Sequence, residues 1–275
     1  MQHTTTIKAG GSEKDYWKDL WKNKQLLLIL SKRDISVRYK QTLLGVAWSV
    51  LRPIMTMTVM VFVFSYVAKL KGDEGIPYPL MVLCGITIWT FFANTFSQIS
   101  SSILINSNLV SKVYFPRLLM PLSSVAVGFV DFLITLGIFL ILTAFFHHPL
   151  SWNMVYLPAF LLLAFITSMG FGPFFAVLNV RFRDIGQLIP FIVQVGFYIC
   201  PIAYSSRLAQ GMWYEKYYNL NPMVGIIDGF KWCLLGDKAY FNPNSVYSTA
   251  IISVVILILS LIYFRKKENT FVDHI

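Results

Sequence analysis

Six long apolar stretches constrain the fold of this chain more than any other feature. They cover approximately residues 53–68, 79–97, 118–146, 156–178, 185–204 and 246–264. A helix needs about 20 largely apolar residues to cross a bilayer. The first stretch is short by this measure, but the apolar residues 46–51 just before it lengthen it. The sequence therefore predicts an all-α integral membrane protein with six transmembrane helices.

The composition supports a membrane protein. Hydrophobic residues make up 56% of the 275 positions, and charged residues only 13%, against roughly 25% in an average soluble domain. The formal net charge of +10 could indicate a nucleic-acid partner. The cations lie beside the apolar stretches, however, and membrane topology explains that placement, so we expect no nucleic acid.

The distribution of lysine and arginine predicts the orientation. Seventeen of the 23 lie before the first span, in the loops 105–117 and 179–184, and in the tail, whereas six lie in the alternate loops. Loops rich in lysine and arginine stay on the cytoplasmic side. Both termini are therefore expected in the cytoplasm.

The segment before the first span is expected to be a cytosolic arm over residues 1–30, followed by the membrane domain over residues 31–275. A helix with one apolar face that lies in the membrane interface is predicted in the arm. Ser31 and Asp34 form a possible capping box for a second helix. The apolar face of the first helix holds Trp17, Leu20, Trp21, Leu27 and Leu28.

The segment 205–244 is too apolar for an ordinary extracytoplasmic loop. An aromatic cluster around Trp213 precedes Asn221-Pro222, and residues 223–235 are mostly apolar but too few to cross. Short apolar stretches beside a membrane are typical of re-entrant or interfacial helices. We expect two short re-entrant helices between spans five and six.

No catalytic motif is present in the sequence. The chain has no GxxxxGK[ST] loop for ATP phosphates, no HExxH and no GxSxG. His147 and His148 are adjacent and point to different sides of a helix, which is a poor arrangement for a metal site. We therefore expect neither enzyme activity nor a cofactor or metal in this chain.

Asp131 lies near the middle of the third apolar stretch. A carboxylate at that depth is costly and is a candidate functional residue. It could relay protons, or it could be a polar tether between helices. The tether is favoured, because intramembrane polar groups usually pair inside the bundle.

The loop 105–117 contains a short amphipathic segment. Asn108 could cap a helix that Pro116 ends. Its apolar face could pack on the arm, or it could dock into a groove of a cytosolic partner. The residues concerned are Asn108, Leu109, Val110, Lys112, Val113, Tyr114 and Arg117.

Aromatic residues are abundant, and most are expected to face lipid or the two interfaces. A minority could line a pathway for sugars, because aromatic faces suit sugar C–H groups. The channel or gate candidates are Phe62, Tyr66, Trp89, Phe191, Phe197, Tyr198, Tyr204 and Trp213.

The basic segment 33–42, with Leu44-Gly45 and Trp48, resembles the opening of the type-2 ABC export permeases for cell-surface polysaccharides, which include the O-antigen and teichoic-acid exporters. One position departs mildly, since Cys200-Pro201-Ile202 stands where Ser-Pro-Val is common. The resemblance extends over about residues 16–275. Further matching segments are 116–118, 121–123, 130–132, 178–185, 221–223, 227–230 and 268–275.

The resemblance implies a function that the residue patterns alone do not give. It implies a homodimer, in the bacterial cytoplasmic membrane, that pairs with two copies of a separate subunit binding ATP and Mg²⁺. The implied substrate is a glycan or polyol-phosphate chain on undecaprenyl diphosphate. Residues 108–115 would correspond to the helix that couples to the ATPase, residues 16–30 to the interface helix and residues 205–244 to the outer gate.

Cations near the cytosolic surface suit a lipid diphosphate. They would equally serve as anchors to anionic lipid. The cations in question are Arg33, Arg38, Lys40 and Arg52, and Tyr39 is included in the same candidate site.

Other functions remain open at the level of sequence. A proton- or ion-coupled secondary transporter would call for several intramembrane ionisable groups and paired broken helices. A membrane-embedded glycosyl- or phosphotransferase would need carboxylates or a metal at a membrane face. A small-molecule exporter of the same superfamily is a variant of the leading hypothesis.

Overall fold

The computed structural model describes residues 13–40, 45–70, 72–113, 115–182 and 184–271. These residues are 81% helical and contain no strand. The all-α prediction is therefore confirmed, whereas the count of six spans is not. Two of the helices differ from the predicted ones in ways that matter for the site.

The arm consists of two helices, α1 (Glu13–Lys22) and α2 (Lys24–Lys40). The capping box at Ser31 was a wrong prediction, because α2 is continuous through that residue. The break lies instead at Asn23, whose side-chain Nδ2 donates to the carbonyl of Asp19 at 2.7 Å. The predicted apolar face divides accordingly: Leu20 and Leu27 pack on the protein core, whereas Trp17, Trp21 and Leu28 are exposed.

Five helices are long and apolar enough to cross a membrane within the described ranges. The first, α3 (Val46–Met60), continues into a π-helical turn, Val61–Val67. The others are α4 (Tyr78–Ile105), α6 (Leu119–Phe145), α7 (Leu157–Arg181), which follows a 3₁₀ turn, and α11 (Pro243–Lys267). Between α4 and α6 lies the short helix α5 (Ser107–Lys112).

The fifth apolar stretch forms a shorter helix than predicted, α8 (Ile185–Ile199), with 15 residues instead of the expected span 185–204. At 1.5 Å per residue it is about 22 Å long. It ends at Cys200 because Pro201 has no N–H to donate and disfavours the helical conformation in the residue before it. Cys200 is accordingly extended, with φ −79° and ψ 151°.

Two helices follow in the segment 205–244, α9 (Glu215–Tyr218) and α10 (Pro222–Leu235). The start of α10 is specified locally, because the Asn221 side chain accepts from the N–H of Met223 at 3.0 Å and proline takes the first helical position. Gly229 allows close packing against α7, since a Cβ there would lie 1.9 Å from the Phe160 ring. Almost every side chain of α10 is buried.

The core is centred on α4, which packs against α3, α6, α7, α8 and α10 and is mostly buried. The two described ends of the chain meet at one end of the bundle. Tyr16 in α1 donates to Glu268 Oε2 at 3.1 Å, just after α11, and accepts from the N–H of Leu118 at 3.4 Å, just before α6. The opposite end holds α9, α10 and the loop around Asp73.

Candidate functional site

A cavity of about 520 Å³ opens between α2, α3, α4, α6 and α8, half-way along the bundle. We call it the central cavity. It is a mixed surface of cations, neutral hydrogen-bonding groups and aromatic rings. Its polar and aromatic lining residues include Arg38, Tyr39, Trp48, Ser49, Arg52, Trp89, Asn94, Asp131 and Phe197.

Asp131 is the buried centre of the polar part of this cavity. It lies near the middle of α6 and is 6% exposed. Its Oδ2 accepts from Arg38 Nη2 at 2.5 Å and from Asn94 Nδ2 at 3.1 Å. Its Oδ1 accepts from the hydroxyls of Tyr39 at 2.7 Å and Ser49 at 3.2 Å. One carboxylate thus joins α2, the start of α3, α4 and α6.

These contacts bear on the two roles that the sequence leaves open for Asp131. The carboxylate is held by four donors from three other helices. The geometry is that of a tether between helices, and it explains how a charge is accommodated at this depth. Its functional role remains a prediction.

Tyr39 is a fixed donor in this arrangement. Burial, with the hydrogen bond to Asp131, raises the pKa of Tyr39 to about 12. Its hydroxyl therefore stays protonated at any physiological pH. With Arg38 and Arg52 positive and Asp131 negative, the polar wall carries a surplus of one positive charge, which suits an anionic ligand.

The remaining cations of the predicted phosphate site lie elsewhere. Arg33 pairs with Asp34, at 2.7 Å, and donates to Asn106 Oδ1 at 2.7 Å. It borders a second cavity of about 360 Å³, which Arg38 also lines. Lys40 is exposed and lines neither cavity. Arg38, Tyr39 and Arg52 are thus brought together, whereas Arg33 and Lys40 are not.

Two of the eight channel or gate candidates line the central cavity. The rings of Trp89 on α4 and Phe197 on α8 lie edge to face, with centroids 6.3 Å apart. Tyr204 is half-buried and donates to the carbonyl of Ile199. The other five, which are Phe62, Tyr66, Phe191, Tyr198 and Trp213, are exposed on the outside of the bundle.

The residues of the loop 105–117 divide between core and surface. Val110 is buried and Leu109 packs beside it against the core that also holds Leu30 of the arm. Asn108 and Lys112 are exposed, and Val113 is 51% exposed. Part of the predicted docking face therefore packs on the protein itself, and the rest is available.

Two details of this loop differ from expectation or lie beyond description. Asn108 was expected to cap the helix, but the cap position is Asn106, and Asn108 lies in the first turn of α5. Arg117 is half-buried, with its guanidinium 5.8 Å from the centre of the Phe271 ring. Tyr114 lies outside the described residues.

A second polar cluster, at the opposite end of the bundle, was not found from the sequence. Lys231 on α10 is 3% exposed, and its Nζ donates to the carbonyls of Pro201 at 2.5 Å and Tyr204 at 3.0 Å. Asp228 lies one turn earlier, and its Oδ2 is buried with no partner among the described residues. The only sequence signal was the pair of charges three residues apart in an apolar segment.

Burial dominates the electrostatics of this outer cluster. It raises the pKa of Asp228, although the charge of Lys231 opposes the rise. It lowers the pKa of Lys231, and there the carboxylate of Asp228 opposes the fall. Asp73, which accepts from Ser205 Oγ at 2.8 Å and from the N–H of Tyr240 at 3.1 Å, completes the cluster.

Asn94 and Ser49 are further site residues that sequence reasoning missed. Both are neutral side chains without a motif, and they matter only because α3 and α4 place them beside Asp131. Within the described parts of the chain, no group of three or more histidine, cysteine, aspartate or glutamate residues could hold a metal ion.

The family model and the relatives that match this chain all describe transporter proteins. The model of the ABC-2 type transporter family matches residues 25–235. The chain is 25% identical over 260 residues to the O-antigen export system permease protein RfbA of Myxococcus xanthus, covering 94% of this chain and 98% of that protein. It is 27% identical to the protein of the same name from Klebsiella pneumoniae, covering 90% and 94%.

A more distant relative is the inner membrane transport permease YadH of Escherichia coli strain K12, with 25% identity over 224 residues, or 76% of this chain and 85% of that protein. The matched family region includes α2 to α10, and therefore both the central cavity and the outer polar cluster.

Proposed function

The chain belongs to the ABC-2 type transporter family, and on that premise we propose that it exports lipid-linked polysaccharide. It would be the membrane-spanning subunit of an ATP-driven exporter that moves an undecaprenyl-diphosphate-linked glycan, of O-antigen or teichoic-acid type, across the bacterial cytoplasmic membrane. Permeases of this family are the membrane components of transporters and are not ATPases themselves. The family implies an ATP-binding-cassette partner, and the names of the first relatives support the substrate class.

The central cavity is the observation that carries the proposal. Two guanidinium groups and a protonated tyrosine hydroxyl converge on one space that is large enough for a headgroup. Guanidinium groups bind phosphates through paired, charge-assisted hydrogen bonds. Because Arg38 reaches the middle of α6, it lies deeper than an anchor to surface lipids would. Arg38 and Arg52 are therefore proposed to bind the lipid diphosphate, and Tyr39 to support the site through its hydrogen bond to Asp131, with the exposed Lys40 and Arg33 serving the membrane surface.

A second copy of the chain is proposed to complete the pathway. The flanking helices α3 and α8 carry exposed large apolar side chains, including Met55, Val59, Leu188 and Phe191. One copy leaves the cavity open between them. A two-fold homodimer is the commonest symmetric assembly and would supply the missing wall. Two ATPase subunits, each binding ATP and Mg²⁺, would then serve the dimer.

Six crossings, with both termini in the cytoplasm, are proposed for each copy. The contact of Tyr16 with Glu268 supports an even number of crossings, because it joins the two described ends of the chain. The helix α8 begins next to the end of α7, and the segment after it reaches the other end, where Tyr78 donates to the carbonyl of Ala203. The 15 residues of α8 and this segment would together complete the crossing.

The coupling and gate roles are assigned by the same proposal. The exposed face of α5, with Asn108 and Lys112, and Val113 just after the helix would contact the ATPase. The arm, with exposed Trp17 and Trp21, would lie in the membrane interface. The helices α9 and α10 would form the outer gate.

The decisive experiment uses the permease with its ATPase partner, reconstituted in lipid nanodiscs, and measures ATP hydrolysis while lipid-linked glycan is added. Arg52→Gln is expected to raise the half-saturating glycan concentration by about tenfold, since a charge-assisted hydrogen bond contributes about 1.5–3 kcal/mol. Lys216→Gln is the control, because Lys216 is an exposed cation on α9 at the opposite end.

Two results would contradict the proposal. An unchanged half-saturating concentration in Arg52→Gln would remove the phosphate assignment. Transport of lipid-linked glycan by the chain without an ATPase would remove the proposed energy source altogether.

The alternative is a proton- or ion-coupled secondary transporter. The buried Asp228 and Lys231 are the observation in its favour, because buried ionisable groups mark proton pathways in many transporters. An ionophore that stops export in vesicles while internal ATP is held constant would support this alternative. Export that persists under those conditions supports the ATP-driven function.

A further inference from the structure

The cation best placed to bind a phosphate in the central cavity is already engaged. Arg38 Nη2 lies 2.5 Å from Asp131 Oδ2. The side chain of Arg38 is 34% exposed, whereas that of Asp131 is only 9% exposed. The arginine therefore has an open edge toward the cavity, and the carboxylate stays behind it. A phosphate that enters must compete with this carboxylate for the same guanidinium.

The carboxylate does not depend on Arg38 alone. Tyr39, Ser49 and Asn94 donate three further hydrogen bonds to it, from α2, the start of α3 and α4. A buried charge is tolerated when hydrogen bonds replace its hydration. If Arg38 turned away, three neutral donors would still hold Asp131. Losing the arginine is therefore far less costly than breaking an ordinary buried ion pair would be.

We propose that Asp131 is an internal competitor that occupies Arg38 until the phosphate of the substrate displaces it. Arg38 would exchange one oxyanion for another, from a carboxylate oxygen of Asp131 to a phosphate oxygen of the lipid-linked diphosphate. This inference rests on the proposed function and deepens it, because it assigns the site a means of selecting its ligand.

Selection follows from the charges. A carboxylate carries one negative charge, whereas the diphosphate that joins the lipid to the glycan carries two, one on each phosphate, and offers non-bridging oxygens on both phosphates. A diphosphate headgroup can therefore outcompete Asp131, with Arg52 on the same cavity wall as a second cation. A neutral or singly charged lipid gains too little to displace the carboxylate. The internal competitor would keep abundant membrane lipids out of the site.

The exchange of Asp131 for a phosphate would also weaken the attachment of the arm to the bundle. Arg38 belongs to α2 and Asp131 to α6, so displacement removes one of the bonds that hold α2 on the bundle. The bond between Tyr39 and Asp131, that between Ser123 Oγ and Asp34 Oδ2, at 3.4 Å, and that between Arg33 and Asn106 would remain. Loading of the site would thus loosen the inner half of α2 without releasing the arm.

The test measures binding of farnesyl diphosphate, a short-chain lipid diphosphate, to the permease–ATPase complex in detergent. Removing the competitor with Asp131→Asn is expected to tighten binding by about tenfold, and Arg38→Gln to weaken it by a similar factor. The tightening should disappear in the double variant, because the released arginine is then absent. Free pyrophosphate should show the same directions, since the exchange concerns the phosphate alone.

A second variant covers the case in which Asp131→Asn does not fold. Asn94→Leu removes one neutral donor while it keeps the size of the side chain and all charges. The carboxylate should then hold Arg38 more firmly, and farnesyl diphosphate should bind more weakly. Tighter or unchanged binding in this variant would overturn the proposal.

Three other outcomes are equally clear. If Asp131→Asn weakens binding as Arg38→Gln does, the carboxylate only positions the arginine. That result would overturn the proposal about competition but would leave the proposed export function in place. Tighter binding of uncharged farnesol by Asp131→Asn would point to a wider cavity rather than a released charge, and would also overturn it. Absence of farnesyl diphosphate binding by the wild-type complex would count against the proposed function itself.

Discussion

Individual buried charges in this protein are held in two different ways. Asp131 has four donors and no unsatisfied oxygen, whereas Asp228 has a buried Oδ2 with no partner in the described structure. Lys231, near Asp228, donates hydrogen bonds to two backbone carbonyls. Burial therefore makes ionisation of Asp228 costly.

Asp228 predicts a pH dependence of stability. Burial raises its pKa, so the folded state favours the protonated acid more than the unfolded state does. Stability due to this group is full below the unfolded pKa of about 4 and is lost as pH rises through the folded value. Lys231, Ser206 and Asp73 are near Asp228. The positive charge of Lys231 and the hydrogen bond from Ser206 lower the pKa of Asp228, whereas the negative charge of Asp73 raises it further.

The measurement is thermal unfolding of wild type and Asp228→Asn in detergent between pH 5 and pH 8. The melting temperature of wild type should fall relative to the variant as pH rises. Glu74→Gln, which changes an exposed carboxylate on the same side of the molecule, should show no such trend. If the melting temperature of wild type instead rises relative to that of Asp228→Asn as pH rises, Lys231 holds Asp228 ionised.

At the scale of single helices, close approach at glycine decides how α10 is seated. Gly225 lies against Ser245 and Thr249 of α11, and Gly229 lies against the ring of Phe160 on α7. These contacts bring a 14-residue helix, too short to cross, into the interior between two long ones. The carbonyls that Lys231 binds follow α8, so α10 also fixes the segment after Cys200.

Gly229→Ala is expected to destabilise the protein by about 1–3 kcal/mol, the usual cost of extra volume in a packed interior. The new Cβ would lie 1.9 Å from Phe160, which must move. Gly137→Ala on α6 is the matched control, because a Cβ there has no neighbour within 4 Å. Chemical or thermal unfolding of the two variants should separate them, and equal stability would show that the Phe160 ring yields freely.

At the scale of the whole molecule, one end of the bundle gathers the arm, α5 and the last turn of α11. The guanidinium of Arg265 stacks 3.3 Å from the centre of the Tyr16 ring, and Phe271 packs against Phe264 in the same region. Only part of α5 is used in this core, and its exposed part is what a cytosolic partner could contact. That surface therefore gives a test of assembly.

Lys112→Glu with Val113→Asp is expected to reduce copurification of the ATPase subunit by about tenfold, because it places two negative charges on the proposed interface. Lys18→Glu on the arm is the control for a changed surface charge at the same end. Normal assembly and normal ATPase coupling in the double variant would move the contact away from α5.

Much of the fold follows from local rules. Apolar length predicts the helices because a backbone in lipid must bond to itself. The same rule overestimated α8, since it counted apolar residues past Pro201, where the backbone cannot remain helical. The arm was expected to break at Ser31, but tertiary packing of Leu30 in the core keeps α2 continuous there.

The candidate site was less accessible to sequence. Arg38, Tyr39 and Arg52 were predicted to belong to one phosphate site, and Asp131 was predicted separately as a tether, but the contact between Asp131 and that site was not foreseen. Arg38 and Asp131 are 93 positions apart, and their contact depends on how α2 lies along α6. Asn94 and Ser49 gave no signal at all, because a neutral polar residue becomes a site residue only through its neighbours.

By itself, the sequence determined that this chain is helical, lies in a membrane and belongs with the export permeases, because apolar length and motif order are properties of consecutive residues. Only the tertiary structure decided which charges meet and which stay alone. The reason is that pairing of buried charges depends on distances between helices, and those distances are set by packing at positions such as Gly229 and by helix ends such as Cys200.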